Sequence, residues 1–243
     1  MTLAWTMDKL GPMCRSAADA AVVLQVIDGP DGLDPTAIAQ PLPHLEPARL
    51  DGLRVGLPAG VPRGGAIDAV LDELEGQGAE VIEVALPEYP LRAMILVLMA
   101  EAATAFDELI RSNLDDQLVR QDRDAWPNSL RAARLIPAVE YLRVQRLRAR
   151  LCIDLEQTIQ DVDVMVHPPY AAGLLYATNL TGQPTFTAPV FVEGQTSPGA
   201  VCFTGRLFDD AYLLSVVEAW QNSSTYHERR PDWPPLSSSD DPK

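Results

Sequence analysis

Residues 53–87 hold the pattern that most restricts the fold. LRVGLP (53–58) is a short apolar run closed by proline and predicts a strand. AIDAVLDELEGQG (66–78) sets Ile67, Val70, Leu71 and Leu74 on one helical face, and Gly76 and Gly78 end that helix. AEVIEVALP (79–87) alternates as a strand does. Strand, helix and strand in so short a span imply two parallel strands joined by a right-handed crossover. A parallel pair needs cover on both faces, so the class is α/β.

The rest of the chain agrees with that class. Ser16 precedes AADAAVVLQVI with Asp19 three residues on, a capping-box-like start to a helix over 17–27. Asp28-Gly29-Pro30-Asp31-Gly32 stops it, and Pro30, Pro35, Pro41, Pro43 and Pro47 mark an extended connector. Residues 91–111 and 138–160 are predicted helices. DVDVMVHPP (161–169), PTFTAPVFV and AVCFTG are predicted strands, few for a closed sheet. FDDAYLLSVVEAWQNSS predicts an amphipathic helix with Asp209 or Asp210 as N-cap. The end of the chain is rich in Pro, Ser and Asp, which predicts one domain over 1–233 and a disordered tail over 234–243.

Composition removes several functions. The net charge is −15, so the surface repels phosphate and nucleic acid is not an expected partner. The longest apolar run, MILVLMA (94–100), is too short to span a bilayer, so no membrane association is expected. Cys14, Cys152 and Cys202 are odd in number and far apart, which fits neither a disulfide framework nor metal-ligand spacing and points to a reducing cytoplasm. No apolar leader follows a charged start.

The chemical inventory is thin. His44, His167 and His227 are separated, none beside a second ligand type, so no metal or other cofactor is expected. His167 ends a predicted strand, where it either lines a pocket or is simply packed. The two lysines are Lys9, expected in an exposed turn, and the terminal Lys243. No Gly-x-Ser-x-Gly elbow, Ser-x-x-Lys pair, P-loop or dinucleotide fingerprint is present. The glycine-rich stretch 60–65 precedes a helix and reads as a turn before it reads as an anion site. Residues 131–150 carry six arginines against Glu140 alone. They are either a surface for an anion or acidic partner, or a solvated face that salt-bridges elsewhere.

Several segments, in order, resemble one family, the amidase signature hydrolases. WTMDKLGPMCRSAADAAVVLQVIDGPDGLDPTA is similar to the segment that follows the family's nucleophile region, with Asp8, Gly11, Pro12, Met13, Arg15, Asp19, Ala20, Asp31, Asp34 and Pro35 matching. LDGLRVGLP, AEAATAFDEL, RLIPAVEYLRVQRLRARL and DVDVMVHPP resemble later parts. ATNLTGQPTFTAPVF and FTGRLFDDAYLLSVVEAWQ resemble the closing strands and last helix. The likeness runs from about residue 3 to 233 and is greatest to amidases related to the A subunit of aminoacyl-tRNA amidotransferases. It implies the C-terminal portion of the amidase signature fold, a mixed central sheet flanked by helices, incomplete and with open edges through which chains self-associate.

The resemblance also implies a function. The family cleaves carboxylic amides with a Ser–cis-Ser–Lys triad through a serine acyl-enzyme. Its lysine and glycine-serine loop lie N-terminal to the segment that opens this chain, so no catalytic residue carries over, and Lys9 falls where the family varies. In the half that does match, His167, Asn179 and Thr181 lie where the family shapes its substrate cleft, and Arg134 lies where a helical region caps it. Glutamine-using relatives carry an aspartate before the Asn-Leu-x-Gly motif. AAGLLYAT has none here, which favours an apolar or aromatic amide. The expectation is a truncated amidase, inactive alone, taking a small-molecule amide only when completed. The alternative is a non-catalytic binding partner or one half of a split amidase.

Overall fold

The structure, a computed structural model, describes residues 3–34, 37–40, 42–43, 46–195 and 197–230. Expectations for Pro35, Pro41, His44 and the 234–243 tail lie outside the described residues. The helices are α1 (Ala17–Ile27), α2 (Ala66–Gly76), α3 (Leu91–Met94), α4 (Leu96–Ala105), α5 (Asp107–Arg111), α6 (Trp126–Ala133), α7 (Ala138–Ile159), α8 (Leu174–Thr181) and α9 (Asp210–Ser224). The strands are β1 (Arg54–Pro58), β2 (Glu80–Val84), β3 (Val164–His167), β4 (Thr185–Val190) and β5 (Gly199–Thr204).

The strands form one mixed sheet in the order β2-β1-β3-β5-β4. The unit read from residues 53–87 is present, with β1 parallel to β2 from Arg54↔Glu80 to Pro58↔Val84. β3 runs parallel to β1, whereas β5 is antiparallel to both β3 and β4. The edges are β2, which carries Glu80 and Glu83, and β4, which carries Pro189. Charges and proline are features that discourage a further strand.

Alternation along the strands splits the core in two. Val55, Leu57, Val164, Val166, Val201 and Phe203 face a layer of α1, α2 and α9. Val84 and Met165 face the opposite layer, built mainly from α4, α7 and α8. The apolar face of α2 is buried at all four expected positions, each worth about 1.5–3 kcal/mol. Gly56 sits in the centre of the sheet because a Cβ there would meet Val84 at 3.0 Å, Val162 at 3.1 Å and Met165 at 3.2 Å.

Helix starts follow local chemistry where there is some. Ser16 caps α1 by accepting from Asp19 N–H at 3.0 Å, as expected. Asp209 is the N-cap residue of α9, but its side chain makes no capping bond. Residues 91–111 are helical as expected, in three helices interrupted at Ile95 (ψ −8°) and Phe106 (ψ 21°). One expectation fails. Of residues 179–182, expected around a strand, 179–181 end α8 and Gly182 is its C-cap. Gly173 and Gly182 bracket that helix in the left-handed region, which suits glycine, and the leucines and alanine between them favour a helix.

Candidate functional site

A cavity of about 680 Å³ opens between residues 5–6, α4, α6 and α7. Trp5, Ala100, Ala103, Ala133 and Ile136 give it apolar walls. Its polar centre is Glu101, which is only 5% exposed. The carboxylate accepts from Thr6 N–H at 3.0 Å, Thr6 Oγ1 at 2.7 Å and Tyr141 Oη at 2.9 Å. Burial pushes the Tyr141 phenol up, the Gln145 amide draws it back, and Glu101 adds to the rise. Arg148 of α7 donates to Thr6 Oγ1 at 2.5 Å, to Thr6 O and to Leu180 O. One guanidinium thus ties the segment at 3–8 to the end of α8.

Arg134, a predicted site residue, lines this cavity and pairs with Asp107. Arg111, with Arg134 beside it, holds the Asp107 carboxyl below the usual range. The cavity therefore has an ion pair on its lining, a satisfied carboxylate within it and apolar walls. Such a site takes an apolar group and orients it through few polar contacts.

The other predicted residues lie elsewhere. Asn179 Nδ2 donates to Leu175 O at 2.8 Å along α8. Thr181 is buried, its hydroxyl donating to Ala177 O at 2.7 Å with the Gln183 side-chain amide in contact beside it. His167 is 2% exposed and both ring nitrogens are engaged. Nδ1 lies 2.8 Å from Pro168 O, which only accepts, so Nδ1 carries the proton. Nε2 then accepts from Thr204 Oγ1 at 2.9 Å, and Thr185 Oγ1 lies 3.0 Å beyond.

This histidine makes a testable contribution to pH dependence. Burial holds its pKa below 6.5 against the raising effect of Pro168 O. The unfolded chain then binds more protons just below pH 6.5, so stability falls as pH falls through that window and levels off below the folded pKa. His167→Gln should flatten this loss, read as a smaller difference in urea midpoint between pH 7.5 and pH 5 than in the parent. An unchanged difference would remove His167 as its source.

The sequence reading missed three features. Lys9 is exposed as a residue, but its ammonium is not free. It donates to Thr178 O and Gln183 O at 2.9 Å each, which fastens the end of α8. Burial lowers its pKa, partly offset by Asp210. Glu101 was the second, and its signal was present: one carboxylate inside MILVLMAEAATA must be buried with donors. Trp5 was the third, and nothing local marks it. The glycine-rich turn holds no free cation, since Arg63 pairs with Asp68, Asp72 and Glu75 at 3.1–3.2 Å. Among the described residues, no group of three or more His, Cys, Asp or Glu is placed to hold a metal ion. No helix there is long and apolar enough to cross a membrane.

A mixed five-stranded sheet between two helical layers, with a walled cavity on one side, defines an α/β fold. A family model described as Amidase matches residues 2–187, and the chain belongs to that family. It is 29% identical over 286 aligned residues to the A subunit of glutamyl-tRNA(Gln) amidotransferase from Roseiflexus sp. (strain RS-1), covering 96% of this chain and 58% of that protein. It is 27% identical over 271 aligned residues to an amidase of Pseudomonas putida, covering 95% of this chain and 56% of that one. Its fold is that of the native peptide amidase from Stenotrophomonas maltophilia, at a TM-score of 0.72 and 24% identity, covering 92% of this chain and 55% of that structure. The chain thus spans little more than half the length of these relatives.

Proposed function

We propose that residues 1–243 are the C-terminal part of an amidase that hydrolyses a carboxylic amide to an acid and ammonia or an amine. A serine outside these residues attacks the carbonyl, the amine leaves with a proton, and water releases the acid from the acyl-enzyme. This part contributes substrate contacts, with Arg134 on the cavity and His167, Asn179 and Thr181 holding the cleft side of β3 and α8. Alanine walls and Trp5 favour an apolar or aromatic amide over glutamine.

The observation that carries the reading is the family match joined to the partial span. A physical feature supports it. Leu10, Met13, Val22, Val26 and Phe208 are exposed, and a groove of about 420 Å³ runs between Leu10, Ile27, Ile38 and Phe208. An apolar patch of this kind is usually covered by more protein.

The test is to read the source DNA upstream of the Met1 codon in all three frames. The expected result is codons for a lysine followed by a Gly-Gly-Ser-Ser-Gly-type loop. The extended protein should release ammonia from benzamide, and residues 1–243 alone should not. A folded extended protein that releases none from any aromatic or aliphatic amide, or turnover by residues 1–243 alone, overturns the reading. Absence of such codons moves it to a split amidase or a non-catalytic partner, with the same apolar face as its seat.

A further inference from the structure

The six arginines of residues 131–150 divide into two sets. Arg131 pairs with Asp115 and Asp116, Arg134 with Asp107, and Arg148 with Thr6 and Leu180, so these three hold other elements in place. Among the described residues, Arg143, Arg146 and Arg150 make no ion pair outside α7. Arg143 pairs with Glu140 at 3.3 Å and Arg150 with Asp154 at 3.8 Å, both on the same helix. Arg146 has no ion-pair partner among the described residues. The side chains of Arg143 and Arg150 are 70% and 75% exposed.

These three line a groove of about 980 Å³ between α7 and residues 87–89. Spacings of three and four residues put them on one stripe of the helix. Exposed Val139 and Leu142 lie beside them, and Leu147 is half-buried behind. The far wall is Pro87, Glu88 and Tyr89, fixed by the Tyr89 Oη donation to Asp154 at 2.6 Å. Arginine and tyrosine are both enriched at interface centres, and here they share one concave patch with exposed apolar side chains.

We infer that this groove docks an acidic, leucine-bearing peptide segment of a partner protein. The stripe from Val139 to Arg150 runs about 16 Å along the helix. A small anion bridges only neighbouring arginines, whereas a peptide with repeated carboxylates meets all three. The interleaved Val139 and Leu142 require apolar groups in the ligand as well. A nucleic acid strand would run past the groove onto a chain of net charge −15, which repels it.

The test is fluorescence anisotropy of the full chain with a short fluorescein-labelled peptide of repeating glutamate and leucine. Binding that weakens with salt is expected, with a loss of about tenfold or more in Arg143→Glu/Arg146→Glu/Arg150→Glu. The same triple variant should keep the parent's cooperative urea transition, which a misfolded protein would not, and Leu142→Ser should weaken the glutamate–leucine peptide. No binding by the parent, or equal affinity in the triple variant, overturns the inference. Equal binding of a glutamate–serine peptide or of oligothymidylate by the parent also overturns it, since either would make the groove a plain anion or nucleic-acid site.

Discussion

Trp220→Ala is expected to destabilise the chain by about 3–5 kcal/mol, the largest effect of any single truncation proposed for this fold. Trp220 is 1% exposed and is the largest fully buried side chain. It lies on α9 against the sheet, its ring 5.1 Å from Phe203 of β5 and 5.9 Å from Tyr226. Its indole N–H donates to Glu73 Oε2 at 2.8 Å, which ties α9 to α2. Truncation therefore opens a cavity between three elements and removes the bond between two helices. Trp220→Phe separates the contributions. It keeps much of the ring packing, and the half-buried Glu73 turns to water, so the cost falls to about 1–2 kcal/mol. Urea denaturation with an unchanged slope measures both. A cost below about 1 kcal/mol for the alanine variant would mean that α9 does not seal this face of the sheet.

What the sequence disclosed follows the reach of each signal. The Ser16 cap, the stripe on α2 and the proline that ends β1 act within a few residues, and α1 and α2 fall where those residues put them. The strand order is not local. Nothing in DVDVMVHPP says that it lies beside β1, or that β5 enters between it and β4. The break at Phe106 has no local mark, because the composition on both sides favours a helix. The arginine run showed a surplus of charge, yet its division into structural and free members depends on Asp107, Asp115 and Thr6, all distant in sequence. The resemblance supplied the architecture beyond α/β, through seven weak likenesses in the right order. It supplied less about the cavity, because Glu101 and Tyr141 meet only after α4 and α7 pack.

That meeting sets the second large effect. Glu101→Ala should cost about 3 kcal/mol, since it leaves buried donors without an acceptor as well as a void. Thr6 N–H, the Thr6 hydroxyl and the Tyr141 hydroxyl all point at this carboxylate. The Thr6 hydroxyl also accepts from Arg148, so losing Glu101 loosens the clamp that holds residues 3–8 to α7. Glu101→Gln tests the reason. An amide keeps one accepting oxygen but turns an N–H₂ toward a donor, so it should recover only part of the loss, leaving about 1–2 kcal/mol. Tyr141→Phe removes one donor by itself, and in the Glu101→Ala background it should cost less than in the parent, a coupling of about 1 kcal/mol. Thermal and urea unfolding of the four proteins give that cycle. Additive costs would mean that the Tyr141 hydroxyl is satisfied by Gln145 or water and that Glu101 is held by Thr6 alone. The cavity wall would then owe its shape to the 3–8 segment, and Tyr141 would be free to meet a ligand.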